Sequence, residues 1–145
     1  LNRSYNTAMA CAIDIGDAND IHPQNKQDVA KRLWLAAKAK AYGAQIVYSG
    51  PVLRFAKKEN ESIRISFDFA DNGLKTNDNK LVKGFAVCDK NGLWSWVDAR
   101  IEGNEIIIEK AGDAIRIQYA WQSNPEVNLY NAEGLAAVPF NIELK

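Results

Sequence analysis

One histidine, His22, stands in this chain of 145 residues, and its neighbours are of the types that can set an imidazole to work. The run is Asp14-Ile-Gly-Asp17-Ala-Asn-Asp20-Ile-His22-Pro23-Gln-Asn-Lys26-Gln27. An unperturbed imidazole titrates near neutrality, which makes histidine the usual general base for activating a hydroxyl. A carboxylate close by can hold the ring in one tautomer and stabilise the imidazolium that forms, as in a Ser-His-Asp triad. Asp20 and Asp17 both lie just before His22 and are the candidates for that carboxylate. The same pattern also describes a loop that caps a helix, because polar residues before a helix often only accept its free N–H groups. Local spacing does not separate the two readings.

A second candidate set is aromatic. Trp94 and Trp96 flank Ser95, so both fall on one face of a strand, and Trp121 and Tyr130 add ring surface near a loop. Stacked rings can hold sugars. The alternation runs on through Val97 and Ala99, so burial of Trp94 and Trp96 in a core is the favoured reading and sugar contact the alternative. Other chemistries find few ligands. With a single histidine and no close pair among Cys11 and Cys88, a zinc site is not expected. Asp71-Asn72 and Asn77-Asp78-Asn79 could at most build a weak calcium site and read better as turns. Cys11 and Cys88 each sit in an apolar run and read as buried free thiols.

Lysine plus arginine equals aspartate plus glutamate, 18 against 18, and no basic stripe is present, so no nucleic-acid partner is expected. No stretch approaches the roughly 18–20 apolar residues that span a bilayer, so no membrane segment is expected either.

The elements that must position His22 follow from hydrophobic period. Ala8 to Ile15 is small and apolar and reads as a buried strand; residues 17–20 form a polar loop. Pro23 suits the first turn of a helix from about Gln24 to Tyr42, with Gly43 as its stop. Val29, Ala30, Leu33, Ala37 and Ala41 line one face of that helix, and Asp28, Lys31, Arg32 and Lys38 fall mainly away from it. Such a stripe must be covered, and a homodimer through the 24–42 helix is the expected cover. Beyond Gln45 the period becomes two. Ile63 to Phe69, Val82 to Cys88, Trp94 to Arg100, Glu105 to Lys110, Ala114 to Trp121 and Val138 to Leu144 read as strands. Asp71-Asn-Gly73, Lys90-Asn-Gly92, Glu102-Gly-Asn104 and Ala111-Gly112 punctuate them. This predicts a mainly β protein: an antiparallel β-sandwich or jelly-roll-like domain preceded by a strand-loop-helix piece of an α/β domain.

Several separated motifs resemble one family. The block GDxxDIHPxNKQxxAxRL, Gly16 to Leu33, is similar to the last catalytic block of the sialate O-acetylesterases, a branch of the SGNH-type carbohydrate esterases. Tyr42-Gly43, Tyr48-Ser49-Gly50-Pro51 and the stretch Ile117 to Phe140 also resemble that family, in order and across most of the chain. The resemblance implies a C-terminal fragment of a secreted or periplasmic esterase. Residues 1–44 would be the end of the SGNH α/β domain and residues 45–145 a β-sandwich accessory domain. It implies an O-acetylated sugar, sialic acid or a related one, as substrate, and no cofactor. Many SGNH hydrolases carry the aspartate three residues before the histidine, where this chain has Asn19; the sialate-esterase branch uses Asp-x-His, which singles out Asp20 over Asp17.

The family's serine sits in a Gly-Asp-Ser-type block that this chain lacks. Ser4, Ser49, Ser62, Ser66, Ser95 and Ser123 are outside any such context, so no nucleophile is assigned and the isolated chain is expected to be inactive. The loop from Asn124-Pro125 to Gly134 is expected to pack back on the esterase domain. A non-catalytic glycan-binding or structural β module is the rival reading.

Overall fold

The computed structural model describes residues 6–22 and 24–144. Its period-two segments form β1 (Val52–Glu59), β2 (Ser62–Asp68), β3 (Leu74–Thr76), β4 (Val82–Asp89) and β5 (Trp94–Glu102). They continue with β6 (Glu105–Ile108), β7 (Ala114–Tyr119), β8 (Leu129–Asn131) and β9 (Phe140–Glu143), after a single helix, α1 (Lys26–Lys40). Seven strands pair antiparallel in the order β1-β2-β6-β5-β4-β7-β9, and β3 pairs separately with β8. A mainly β, antiparallel protein preceded by a helix is thus what the sequence builds.

The two expected layers are halves of one sheet. β5 belongs to both: its end, Arg100–Glu102, pairs with β6, while Trp94–Ala99 pairs with β4. The sheet curls there until it nearly closes. Phe67 of β2 comes within 6.3 Å, ring to ring, of Phe140 on β9 at the far edge. The backbone N–H of Val138 donates to the Pro51 carbonyl just before β1. Inside lie Ile63, Ile65, Ile106, Ile108, Ile117, Phe85 and Tyr119, each fully buried. Burying one such side chain contributes roughly 1.5–3 kcal/mol, so this cluster is what holds the β region together. Phe69, the expected end of the Ile63 to Phe69 strand, departs from the alternation. Its φ of 63° ends β2 and turns the ring onto Tyr48, 4.9 Å away.

Two polar side chains pin the long connection between β7 and β9. Asn131, wholly buried, donates to the carbonyls of Ser49 and Phe69 and accepts the N–H of Leu135. Asn128 donates to Asp78 and to the Leu81 carbonyl and accepts the N–H of Lys83. Gly50 lets two backbones touch: a Cβ there would lie 1.9 Å from the Ala136 carbonyl oxygen. The Tyr48-Ser49-Gly50-Pro51 motif therefore has a packing reason.

Ala8 to Ile15 is not a strand. The segment forms no ladder with any strand among the described residues, so its backbone lies as an irregular arm. Ile13 packs at the edge of the core, and the Cys11 thiol lies 3.8 Å from the Ala137 carbonyl. Pro23 and Ser4 lie outside the described residues.

The helix exists but buries a different face. Arg32 and Ala36 are its buried residues, while Leu33 is 50% exposed. Arg32 was expected to point away. The burial follows from a partner on the arm, because a charge is buried only when paired and hydrogen-bonded. Asn25 caps the helix by accepting the Asp28 N–H. At the other end the Ala44 N–H returns to the Lys38 carbonyl across Gly43, the expected stop.

Candidate functional site

The anchor of the arm is Asp14. Both its oxygens accept from the Arg32 guanidinium, at 2.6 and 2.8 Å, and the same Arg32 Nη1 donates to the Cys11 carbonyl at 2.6 Å. Forked pairs of this kind are the stronger and more directional form of ion pair. The Tyr130 hydroxyl on β8 lies beside this carboxylate and favours its charge. Burial alone would raise the Asp14 carboxyl, but the Arg32 hydrogen bond and charge, with the Tyr130 hydroxyl, hold it below the usual carboxylate range. Burial first, and then the negative Asp14, push the Tyr130 phenol up to about 12. Burial likewise raises the Cys11 thiol. Arm, helix and β region thus meet in one polar knot, and the loop bearing His22 leaves directly from it.

That loop is shaped by its own acids. The Asp17 carboxylate accepts the Asn19 N–H at 2.9 Å, and the backbones of Asp17 and Asp20 bridge each other. The Asp20 carboxylate accepts the backbone N–H of His22 at 2.8 Å. Asp20 is partly buried and His22 is exposed, so the imidazole stands free on a tight turn. The structure therefore brings Asp20 and His22 together through the backbone; among the described residues the ring itself makes no hydrogen bond to either acid. An exposed imidazole next to carboxylates can accept a proton from a hydroxyl brought to it. No group of three or more His, Cys, Asp or Glu side chains poised for a metal ion occurs among the described residues. Asp78, one of the calcium candidates, instead accepts the Lys80 N–H and the Asn128 amide.

The tryptophans correct the core reading. On β5 it is Val97, Ala99 and Ile101 that face the core, while Trp94 and Trp96 point out of the sheet, 42% and 61% exposed. Alternation alone left their direction open. The burial of β5's other face decides it. Trp121 is also 55% exposed, beyond the end of β7, beside a shallow cavity shared with Ile13 and Pro139. The three rings do not form one stacked platform: Trp94 lies under the Arg116 guanidinium, 5.9 Å away, and Trp96 borders another cavity.

Asp14, Arg32 and Tyr130 are the participants that sequence reasoning did not single out for the site. A signal was present. Arg32 stands four residues before Ala36 on one helix face, and an arginine among small helix residues invites a search for its acid.

The chain superposes on a carbohydrate acetylesterase from Xanthomonas citri with a TM-score of 0.86 and 34% identity, over 92% of this chain and 32% of that one. Sequence comparison finds sialate O-acetylesterase of Mus musculus, 29% identical over 83% of this chain, and that of Homo sapiens, 28% identical over 93%. No protein-family model matches. The chain spans about a quarter of the length of the curated relatives it matches, 24% and 29% of these two. Its resemblance to the sialate O-acetylesterases thus holds in sequence, and its fold matches that of a carbohydrate acetylesterase.

Proposed function

We propose that this chain is the C-terminal part of a carbohydrate O-acetylesterase, supplying the general base to an active site whose serine lies elsewhere in a longer protein. What carries the reading is the match of almost the whole chain, fold and sequence, to a carbohydrate acetylesterase. Residues 1–44 complete the esterase domain, and residues 45–145 form its accessory β domain. A serine hydroxyl attacks the acetyl carbonyl of an O-acetylated sugar, sialic acid or a related one. His22 takes the hydroxyl proton and returns it to the departing sugar oxygen. Water, deprotonated in turn by His22, then releases acetate. Asp20 is the orienting acid. Its carboxylate already fixes the His22 backbone.

A structural role for the β domain accompanies this reading, favoured by the Tyr130 hydroxyl on Asp14. The β domain holds the arm from which the histidine turn departs. By itself the chain offers a base without a nucleophile, and 4-nitrophenyl acetate should not turn over above a His22→Ala control. In the longer protein, His22→Ala should lower kcat by roughly three to four orders of magnitude with folding intact. Asp20→Asn should cost less than that, and Asp17→Asn less again. Full activity of the His22→Ala enzyme would end the proposal.

A further inference from the structure

We infer that the cavity beside Trp96 is a binding site for neutral pyranose sugars, separate from the histidine turn and standing whether or not His22 is catalytic. The cavity is an open groove of about 460 Å³, lined by Trp96 and Asp98 of β5, Lys83 and Gly84 of β4, and Gln122 and Glu126 of the loop after β7. That volume falls in the range of roughly 300–1,000 Å³ in which small molecules are held.

The site is shaped by backbone as well as by side chains. β4 carries a bulge between Val82 and Phe85, the kind of irregularity that re-aims neighbouring side chains. Gly84 sits in it at φ 92°, where an added Cβ would meet the Glu126 carbonyl oxygen, the Tyr119 ring and Val127, each at 3.3 Å. A side chain at this position would be strained and crowded, so bare backbone borders the cavity here. Across the ladder, Trp96 is paired with Ala86, whose small side chain leaves the indole face clear. Trp94 has Arg116 over its ring, whereas Trp96 has no aromatic or cationic partner among the described residues. A large indole left 61% exposed beside a cavity is surface that a ligand can cover.

Charge selects the class of ligand. The Lys83 ammonium is paired with the Glu126 carboxylate, and Asp98 adds a second negative charge near it. Two carboxylates against one ammonium leave an excess of negative charge and no free cation for an acidic sugar. The C–H face of a pyranose can stack on the indole, and its hydroxyls can donate to Asp98 and Glu126 and exchange hydrogen bonds with Gln122. Sialic and uronic acids meet repulsion instead. The sugar held here is thus a neutral part of a glycan, not the acidic residue that a sialate esterase would deacetylate.

The test is titration of the 145-residue chain with cellohexaose, xylohexaose, mannohexaose and 3′-sialyllactose, followed by calorimetry and tryptophan fluorescence. At least one neutral hexasaccharide should bind. Trp96→Ala should weaken it by about tenfold or more, the usual cost of losing an aromatic anchor. Trp96→Phe should recover part of the loss, which excludes misfolding as its cause. Asp98→Ala should also weaken binding, Trp121→Ala should leave it unchanged, and sialyllactose should not bind. Absence of binding by all three neutral hexasaccharides up to about 5 mM, a level that detects even millimolar affinity, would overturn the inference. So would affinity indifferent to Trp96, or preference for the sialoside.

Discussion

Between β2, β6, β7 and β9 the interior is isoleucine, phenylalanine and tyrosine, while on α1 the buried side chains are Ala36 and an arginine. The β region is held by apolar area distributed over many contacts. The arm and helix are held by a few directional bonds converging on Asp14. Distributed burial tolerates changes of pH and salt. A charged knot responds to both, and it fixes orientation more sharply than apolar packing does. Under the proposed function, a segment that presents the His22 imidazole at a set angle gains from the second kind of attachment.

The largest effect should come from the β core. Ile106→Ala or Ile65→Ala removes a fully buried side chain and should cost about 2–5 kcal/mol in denaturant unfolding, with the helix signal lost in the same transition. Next is Arg32→Ala, which leaves the nearly buried Asp14 carboxylate without its cation. The knot is small and lies at an edge, so about 3 kcal/mol is expected, and only in the attachment of arm and helix. Hydrogen exchange should show α1 amides losing protection while those of β6 and β7 keep it. Parallel loss in both regions would break the contrast.

Solution pH sharpens it further. Asp14 has its folded pKa held below the unfolded value, so its contribution is present above the ordinary carboxylate range and disappears as pH falls through the lowered value. Tyr130 is raised to about 12, so its contribution is whole below the ordinary phenol range, near 10, and lost as pH climbs toward 12. Ellipticity at 222 nm, which follows the helix, should therefore hold from pH 5 to 9 and decline on both sides. Tyr130→Phe should flatten the alkaline limb of the arm and leave the acid limb in place.

The smallest effect on stability belongs to the outer edge of α1, where Leu33, Trp34 and Tyr42 are at least half exposed. Leu33→Asp with Trp34→Asp should shift stability by only about 0.5 kcal/mol. If two copies meet through the helix, the same pair of substitutions should turn a dimer into a monomer in light scattering at micromolar concentration. An unchanged dimer would place the contact elsewhere.

The period-two pattern made β2, β5 and β7 legible, whereas in β6 three consecutive isoleucines, Ile106 to Ile108, are all buried and the strand is marked by its apolar run and its turns. β1 was harder to read, since Val52–Glu59 lies at a sheet edge and carries Arg54, Lys57 and Lys58 among its apolar residues. β3 and β8 are three residues each, too short to show a period. Apolar composition at Ala8–Ile15 suggested a strand, but a strand exists only with a neighbour to bond, and the described residues offer it none. The histidine turn was legible because Asp and Asn bond locally. Which way the acids reach was not.

Residue order by itself determined the turns, the stop at Gly43, the alternation of the strands and the acids clustered before His22, for these depend on φ preferences and bonds across a few residues. Only the tertiary structure decided which side of each element is inside. Leu33 and Arg32 are neighbours on one helix, and the arginine is the buried one because the Asp14 carboxylate, 18 positions earlier, pairs with it. Trp94 and Trp96 face outward because Val97, Ala99 and Ile101 had a core to enter when the sheet curled at β5. Burial is a property of the closed sheet, and no local pattern carries it.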